Sequence, residues 1–104
     1  MGYQHIEASE VSNRYQEEKD HYVWVDVRTI EEYEEGHIPD SLHIPLDELE
    51  QRQAELADFK GRNILLICRS GVRSVYAAEV LADHGYTHLY NLKGGMLEWM
   101  GPVE

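Results

Sequence analysis

Residues 64–81 read ILLICRSGVRSVYAAEVL, and this stretch decides the fold. It begins inside NILLIC at 63–68, the most continuously apolar segment of the chain, which is typical of a strand buried on both faces of a parallel sheet. After a short polar loop, apolar residues recur at helical spacing as far as Gly85, and this pattern predicts a helix over 74–85. A buried strand that leads through a loop into a helix is the repeating unit of α/β folds.

Strand-like and helix-like segments alternate in the rest of the chain as well. Short β-branched and aromatic runs predict strands over 3–7, 22–27, 41–45 and 88–92. Helical patterns predict short helices over 10–18, 30–36, 47–57 and 94–99. The side chains expected to cap helices are Ser9, Thr29, Asp47 and Ser74, and Gly36 suits a helix C-terminus. We therefore predict one α/β domain over 1–104, built on a mainly parallel sheet of about five strands.

The overall charge and the cysteine content limit the classes of partner and compartment. Nine Lys and Arg stand against twenty Asp and Glu, a net charge of -11, which disfavours binding to nucleic acid or to anionic membranes. No apolar run approaches the roughly 20 residues that a membrane-spanning helix needs. A single cysteine excludes an internal disulfide and fits a reducing compartment, and the N-terminus does not resemble a signal peptide. We expect a cytoplasmic protein without nucleic-acid or membrane partners.

Cys68 lies where an α/β fold places its ligands, at the carboxyl end of the buried strand. The amides of the following loop and of the first helical turn can bind an anion together. Gly71 allows a positive φ or a close approach of backbone, while Arg69 and Arg73 add two cations. No acidic residue occurs between Asp58 and Glu79, so we expect the local field to be positive.

A thiol in such a loop is expected to ionise readily. Helix N-termini and neighbouring cations lower a cysteine pKa, and the thiolate is the nucleophilic form. The alternative is that Cys68 is an inert, small apolar residue at the end of a buried strand. The two arginines, Gly71 and the helix start, all within six residues, favour a reactive thiol.

Three segments resemble one protein family. CRSGVRS at 68–74 is similar to the active-site loop of single-domain rhodaneses, the thiosulfate sulfurtransferases. VDVRTIEEYEEGHIPDSLHIP at 25–45 and GGMLEW at 94–99 are similar to the N-terminal and C-terminal signatures of that family. Ser41 and His43 stand where the family usually has Gly and Asn. The resemblance covers nearly the whole chain and implies a rhodanese-like three-layer sandwich.

The resemblance also implies a reaction. The Cys68 thiolate would attack the outer sulfur of thiosulfate or of a persulfide, and in the case of thiosulfate sulfite would leave. The resulting persulfide would pass its sulfur to cyanide, a small thiol or a protein thiol. Because the chain has no second cysteine, the acceptor must come from outside. No cofactor is implied, and the histidines lack the spacing of metal ligands.

The resemblance assigns binding roles to the loop and supporting roles to an earlier strand end. The implied substrate-binding residues are Arg69, Ser70, Gly71, Val72, Arg73 and Ser74. Arg73 is the first candidate for contact with the sulfite group and Arg69 the second. The hydroxyls of Ser70 and Ser74 are candidate hydrogen-bond donors in the site, although Ser74 is expected mainly to cap the helix. Asp26 is expected to accept backbone hydrogen bonds and orient the neighbouring loop, with contact to the active loop as the alternative. Arg28 is expected to form a structural ion pair with the acids at 31, 32 and 35.

Two other functions remain open at this point. Cell-cycle dual-specificity phosphatases and arsenate reductases share the implied fold, but their loop has five residues between Cys and Arg, whereas four separate Cys68 from Arg73. The shorter loop should be too small for phosphate. The other alternative is a non-catalytic or weakly catalytic module that relays persulfide or binds a protein. Capture of a partner on Cys68, compared with thiosulfate turnover, separates that alternative from an enzyme.

Overall fold

Five short strands form one sheet in the computed structural model, which describes residues 2–104. All four neighbouring pairs are parallel, and the strand order is β1-β5-β4-β2-β3. The strands are β1 (Gln4–Glu7), β2 (Val23–Asp26), β3 (Leu42–His43), β4 (Ile64–Ile67) and β5 (Leu89–Lys93). Because β4 lies between β5 and β2, its carboxyl end is in the middle of the sheet edge, and the predicted buried strand is confirmed.

Helices cover both faces of the sheet and make the three-layer sandwich. They are α1 (Ala8–Asn13), α2 (Tyr15–Glu18), α3 (Ile30–Glu35), α4 (Leu46–Arg52), α5 (Arg73–Asp83) and α6 (Gly95–Glu98). Two 3-10 segments, Lys19–His21 and Gln53–Phe59, extend α2 and α4. Within residues 2–104, no helix combines the length and the apolar character needed to cross a membrane.

The alternation of side chains along β4 separates the two cores and aims Cys68. Leu65 and Ile67 belong to a core with Trp24 and Trp99, whereas Leu66 and Cys68 belong to the core that α5 covers. The sulfur therefore points to the same side of the sheet as the first turn of α5. A shift of one residue in register would turn it to the other face.

Of the four predicted N-caps only Thr29 is confirmed, and the predicted glycine at a helix C-terminus is confirmed as well. Thr29 caps α3 in a reciprocal capping box with Glu32, and Gly36 is the C-cap residue of that helix. Ser9 lies inside α1, because β1 runs into that helix directly and the helix already begins at Ala8. Asp47 likewise lies in the first turn of α4, because Pro45 is the N-cap residue and the helix begins at Leu46, two residues before the start that a cap at Asp47 implies.

Candidate active site

The Cys68 side chain is 1% exposed and has two close polar neighbours. The Gly71 amide donates a hydrogen bond to Sγ at 3.0 Å. The hydroxyl of Ser74 lies 3.3 Å from the same sulfur. Ser74 is fully buried and α5 begins one residue before it, so the expected helix-capping role of Ser74 is wrong. Its side chain belongs to the sulfur site.

The pKa of Cys68 is set by two opposing effects. Burial raises the pKa of the thiol, because it disfavours the charged form. Hydrogen bonds from the Ser74 hydroxyl and from the amides of Ser74, Gly71 and Ser70 act in the opposite direction and prevail, so the pKa lies below its ordinary value. Hydrogen bonds from the loop therefore lower the pKa of Cys68 although its sulfur is buried.

Gly71 combines the two properties that the sequence attributes to it. Its φ is +92°, a left-handed conformation that favours glycine. A Cβ at this position would also lie 3.1 Å from the Gly94 nitrogen and 3.2 Å from the Leu92 carbonyl oxygen. The turn that aims the Gly71 amide at Sγ therefore depends on this glycine.

Residues 94–97, which follow β5, hold the Cys68 loop in place through backbone hydrogen bonds. The Met96 amide donates to the carbonyl of Cys68 at 2.9 Å, and the Leu97 amide donates to the carbonyl of Arg69 at 3.0 Å. Gly95 has a φ of +57°, and a Cβ on it would lie 2.5 Å from the Arg69 carbonyl oxygen. The Gly-Gly pair of the C-terminal motif is thus a positioning element of the site, a role that the sequence alone did not reveal.

A chain of polar contacts leads from the sulfur to the edge of the sheet. The Ser74 hydroxyl also lies within hydrogen-bond distance of Oδ1 of Asn91, so its single proton is shared between that oxygen and Sγ of Cys68, and Nδ2 of Asn91 lies 3.0 Å from Nδ1 of His5. Asn91 is 1% exposed in the middle of β5. The sequence patterns did not identify Asn91 as a site residue, although an amide inside the strand-like run HLYNL is a detectable signal.

Arg73 forms a two-pronged ion pair across the mouth of the site. Its Nη1 and Nη2 donate to Oε1 and Oε2 of Glu32, each at 2.8 Å. The hydrogen bonds from Arg73 lower the pKa of Glu32 to about 2, and the same pair raises the pKa of Arg73. Glu32 was expected to pair with Arg28, so the sequence missed the group that neutralises the first candidate for anion binding.

The other loop residues line the rim. Arg69 is exposed beside a pocket of about 300 Å³ that Glu35 and Leu97 also line. Within residues 2–104, no carboxylate lies within ion-pair distance of its guanidinium. Ser70 is exposed and contributes its amide to the sulfur, while the Val72 side chain is 59% exposed.

Asp26 and Arg28 bind each other instead of the sulfur. Asp26 is fully buried, and its Oδ1 accepts the Arg28 amide at 3.0 Å, as expected for a residue that orients the loop. The Arg28 guanidinium donates to Oδ2 of Asp26 and to the Gly36 carbonyl, both at 2.8 Å. The expected pairing of Arg28 with the acids of α3 is therefore wrong, because Asp26 is nearer in the chain and already buried beside it.

Ser41 and His43, the two departures from the family pattern, hold the segment between β2 and α3 in place. The Tyr33 ring stacks on His43 with 4.4 Å between centroids, and its hydroxyl donates to the Ser41 carbonyl at 2.8 Å. His43 Nε2 lies 2.8 Å from the Arg28 carbonyl oxygen. Ser41 and His43 thus tie β3 to the segment that leads from β2 into α3.

For residues 2–104, no group of three or more His, Cys, Asp or Glu side chains is arranged to hold a metal ion.

The buried sulfur under loop amides, at the end of a central parallel strand, agrees with one protein family. The family model for the rhodanese-like domain matches residues 7–101. The chain belongs to the rhodanese-like domain family. Its fold is also that of the crystal structure of a rhodanese-related protein from Thermoplasma volcanium, with a TM-score of 0.84, 30% identity and 98% of each chain covered.

Three curated relatives show how broadly this family is used. YrkF of Bacillus subtilis, a proposed sulfur carrier protein, is 45% identical over 80 residues, which is 77% of this chain but only 42% of YrkF. A protein named sulfurtransferase from Allochromatium vinosum is 36% identical over 94 residues, 90% of this chain and 85% of the relative. Thiosulfate sulfurtransferase PspE of Escherichia coli is 37% identical over 71 residues, 68% of each chain. The chain thus spans less than half of one of these relatives and most of another.

Proposed function

We propose that this rhodanese-like domain transfers sulfane sulfur through a persulfide on Cys68. The observation that carries the proposal is the buried sulfur with the Gly71 amide at 3.0 Å, the Ser74 hydroxyl at 3.3 Å and a lowered pKa. A thiolate so placed is a nucleophile at neutral pH. The names of the Allochromatium and Escherichia relatives support sulfur transfer as the class of reaction.

The first half-reaction loads the cysteine. The Cys68 thiolate attacks the outer sulfur of thiosulfate, the S–S bond of thiosulfate breaks, and its electron pair leaves with sulfite. The three negative charges of the reactants reappear as one on the persulfide and two on sulfite. The amides of Ser70, Gly71 and Ser74, which stabilise the thiolate, would stabilise the terminal persulfide sulfur in the same way. A persulfide donor loads the cysteine by the same attack, with a thiolate as the leaving group.

The second half-reaction needs an acceptor from outside, since Cys68 is the only cysteine of the chain. Cyanide, a small thiol or a protein thiol attacks the terminal sulfur, and the electrons of the broken S–S bond return to Cys68 as thiolate. The two half-reactions share one covalent intermediate and require no organic cofactor or metal.

A lone reactive thiol is best preserved under reducing conditions, which supports a cytoplasmic location.

Intact-mass spectrometry tests the proposal directly. After incubation with thiosulfate or with a hydropersulfide, the protein should gain the mass of one sulfur atom, and cyanide should remove it with release of thiocyanate. Cys68→Ser should remain folded, because serine is close in shape and its hydroxyl can take part in the hydrogen bonds with Gly71 and Ser74, and it should gain no sulfur. Sulfur uptake by that variant, or no uptake by the wild type from either donor, would refute the proposal.

A persulfide relay to a partner protein is a second candidate. The Bacillus relative described as a sulfur carrier favours it, as does the requirement for an external acceptor. In that case the loaded protein should pass its sulfur to a protein thiol much faster than to cyanide. Phosphatase or arsenate reductase chemistry is disfavoured, because the loop is one residue shorter than in those enzymes and Glu32 already occupies the Arg73 guanidinium.

A further inference from the structure

Carboxylates neutralise two of the three arginines around the mouth of the site, and the third has no carboxylate within ion-pair distance among residues 2–104. Of the three arginines near the loop, Arg28 is neutralised by Asp26 and Arg73 by Glu32, each pair with a contact of 2.8 Å. The third, Arg69, shares its pocket with Glu35. The sequence predicted a positive local field because no acid lies close along the chain, but the fold brings α3 and its carboxylates to the loop.

Glu32 is fixed in place from its own side as well. The Thr29 amide and hydroxyl donate to Oε1 of Glu32 at 3.0 and 3.1 Å, as parts of the capping box. Arg73 binds both oxygens of the same carboxylate. A dianion that sought the Arg73 guanidinium would have to displace a carboxylate that is held by four hydrogen bonds and that is ionised throughout the neutral range.

An apolar pocket adjoins the site on the side of Arg73. It has a volume of about 420 Å³ and is lined mainly by Val27, Pro45 and Leu46, with Thr29, Asp47 and Arg73 at its polar margin. The Val27 amide donates to the carbonyl of Ile67, the residue before Cys68, at 2.9 Å. An organic substituent on the transferred sulfur could enter this pocket, whereas thiosulfate carries no apolar group to place there.

We propose that Glu32 determines which sulfur donors the site accepts, and that organic sulfane donors are preferred to thiosulfate. This inference rests on the proposed function of Cys68. The preferred class comprises hydropersulfides (R–S–SH) and thiosulfonates (R–SO₂–S⁻), whose R group occupies the pocket formed by Val27, Pro45 and Leu46. Glu32 repels the second negative charge of thiosulfate and engages the guanidinium that would otherwise bind it.

The reaction of such a donor balances without any further reagent. With a hydropersulfide, the Cys68 thiolate bonds to the terminal sulfur, the S–S bond breaks, and RS⁻ leaves with its electron pair while the proton stays on the transferred sulfur. With a thiosulfonate, the leaving group is the sulfinate RSO₂⁻ and the persulfide keeps the negative charge. Neither step requires an oxidant or a reductant.

Two donors that differ in charge and in one apolar group test the inference. Thiosulfate and benzenethiosulfonate both transfer a sulfur bonded to a sulfonyl group, but in the second a phenyl ring replaces one oxyanion. We expect the wild type to be loaded faster by benzenethiosulfonate, measured as the second-order rate of persulfide formation on Cys68. In Glu32→Gln, the rate with thiosulfate should rise roughly tenfold while the rate with benzenethiosulfonate changes little, because one nearby charge is removed.

Matched variants separate the effect of Glu32 from a general loss of negative charge. Glu31→Gln removes the same charge from the same turn of α3, at an exposed side chain, and should leave the ratio of the two rates unchanged. Leu46→Asn makes the pocket polar and should reduce the rate with benzenethiosulfonate by several fold, with little change for thiosulfate. It also provides a test if Glu32→Gln does not fold.

The outcomes distinguish this inference from the function on which it rests. If neither donor loads wild-type Cys68, the proposed function itself fails. If both donors load it but the rate ratio is the same in Glu32→Gln and in the wild type, sulfur transfer stands and the role of Glu32 is overturned. An unchanged ratio in Leu46→Asn would likewise overturn the assignment of the pocket.

Discussion

Two neighbouring strands end at the same edge of the sheet, and the junctions that follow them are built in opposite ways. β2 and β4 pair in parallel up to Asp26 and Ile67. After β2, side chains from the junction itself satisfy the backbone: Asp26 accepts the Arg28 amide, and Thr29 and Glu32 cap α3. After β4, no side chain of residues 2–104 caps α5, and the loop amides point at the sulfur of Cys68.

The difference shows what converts a structural junction into a reactive one. Every helix begins with backbone N–H groups that lack partners within the helix. A capping box satisfies those groups with the helix's own side chains, whereas the uncapped loop leaves them for a thiolate or a persulfide. The two junctions are also connected, because Glu32 of the capped junction binds Arg73 at the start of the uncapped one.

The largest expected effect comes from breaking the support beneath the reactive junction. Gly95→Ala should lower the free energy of unfolding by about 2 to 4 kcal/mol, because the new Cβ would enter the carbonyls of Cys68 and Arg69 at a positive φ. The displaced loop should also stabilise the Cys68 thiolate less well. Urea denaturation measures the first effect, and the rate of Cys68 alkylation by iodoacetamide at neutral pH measures the second.

Gly61→Ala is the matched control for that substitution. Gly61 is exposed, and a Cβ there would have no neighbour within 4 Å, so stability should change by no more than about 0.5 kcal/mol. If Gly95→Ala were as stable and as reactive as Gly61→Ala, the segment after β5 would not position the loop.

Features of the two junctions that depend on neighbours in the sequence could be predicted, whereas contacts between distant residues could not. The apolar run correctly predicted the buried strand β4, and Gly71 correctly predicted the left-handed turn. Thr29 and Gly36 correctly predicted the two ends of α3. These depend on neighbours within a few residues. Period-2 and period-3.6 patterns carry such information directly.

The errors concern partners that lie far apart in the chain. Arg73 meets Glu32 across 41 positions, and Ser74 meets Asn91 across 17, so neither contact is visible in a local pattern. From the local sequence alone, Ser74 is expected to cap α5. In the fold, its burial and its contact with the side-chain amide of Asn91 in β5 direct its hydroxyl to the sulfur site. Propensity describes what a residue can do alone, and tertiary contacts decide among the options.

The next effect in size concerns the hydroxyl that distinguishes the reactive junction. Ser74→Ala should raise the pKa of Cys68, because the thiolate loses the hydrogen bond from the hydroxyl while those from the amides remain. The midpoint of the pH profile of iodoacetamide alkylation measures this shift. Ser70→Ala keeps the amide that acts on the sulfur and should leave the midpoint unchanged; equal shifts in both variants would contradict a specific role for the Ser74 hydroxyl.

The smallest effect concerns the ion pair that links the two junctions. Because Arg73 lowers the pKa of Glu32 from 4.5 to about 2 in the folded chain, the pair stabilises the fold fully above about pH 4.5 and progressively less as the pH falls through 2. Both side chains are partly solvated, so Glu32→Gln should cost about 1 kcal/mol near neutral pH, and this difference should shrink towards zero near pH 2. Urea unfolding at the two pH values measures the difference, with Glu31→Gln as the control that should show no such dependence. Glutamine keeps the oxygen that accepts the capping hydrogen bonds, so a cost that stays constant down to pH 2 would mean that the charge of Glu32 does not stabilise the fold and that the ion pair does not link the two junctions energetically.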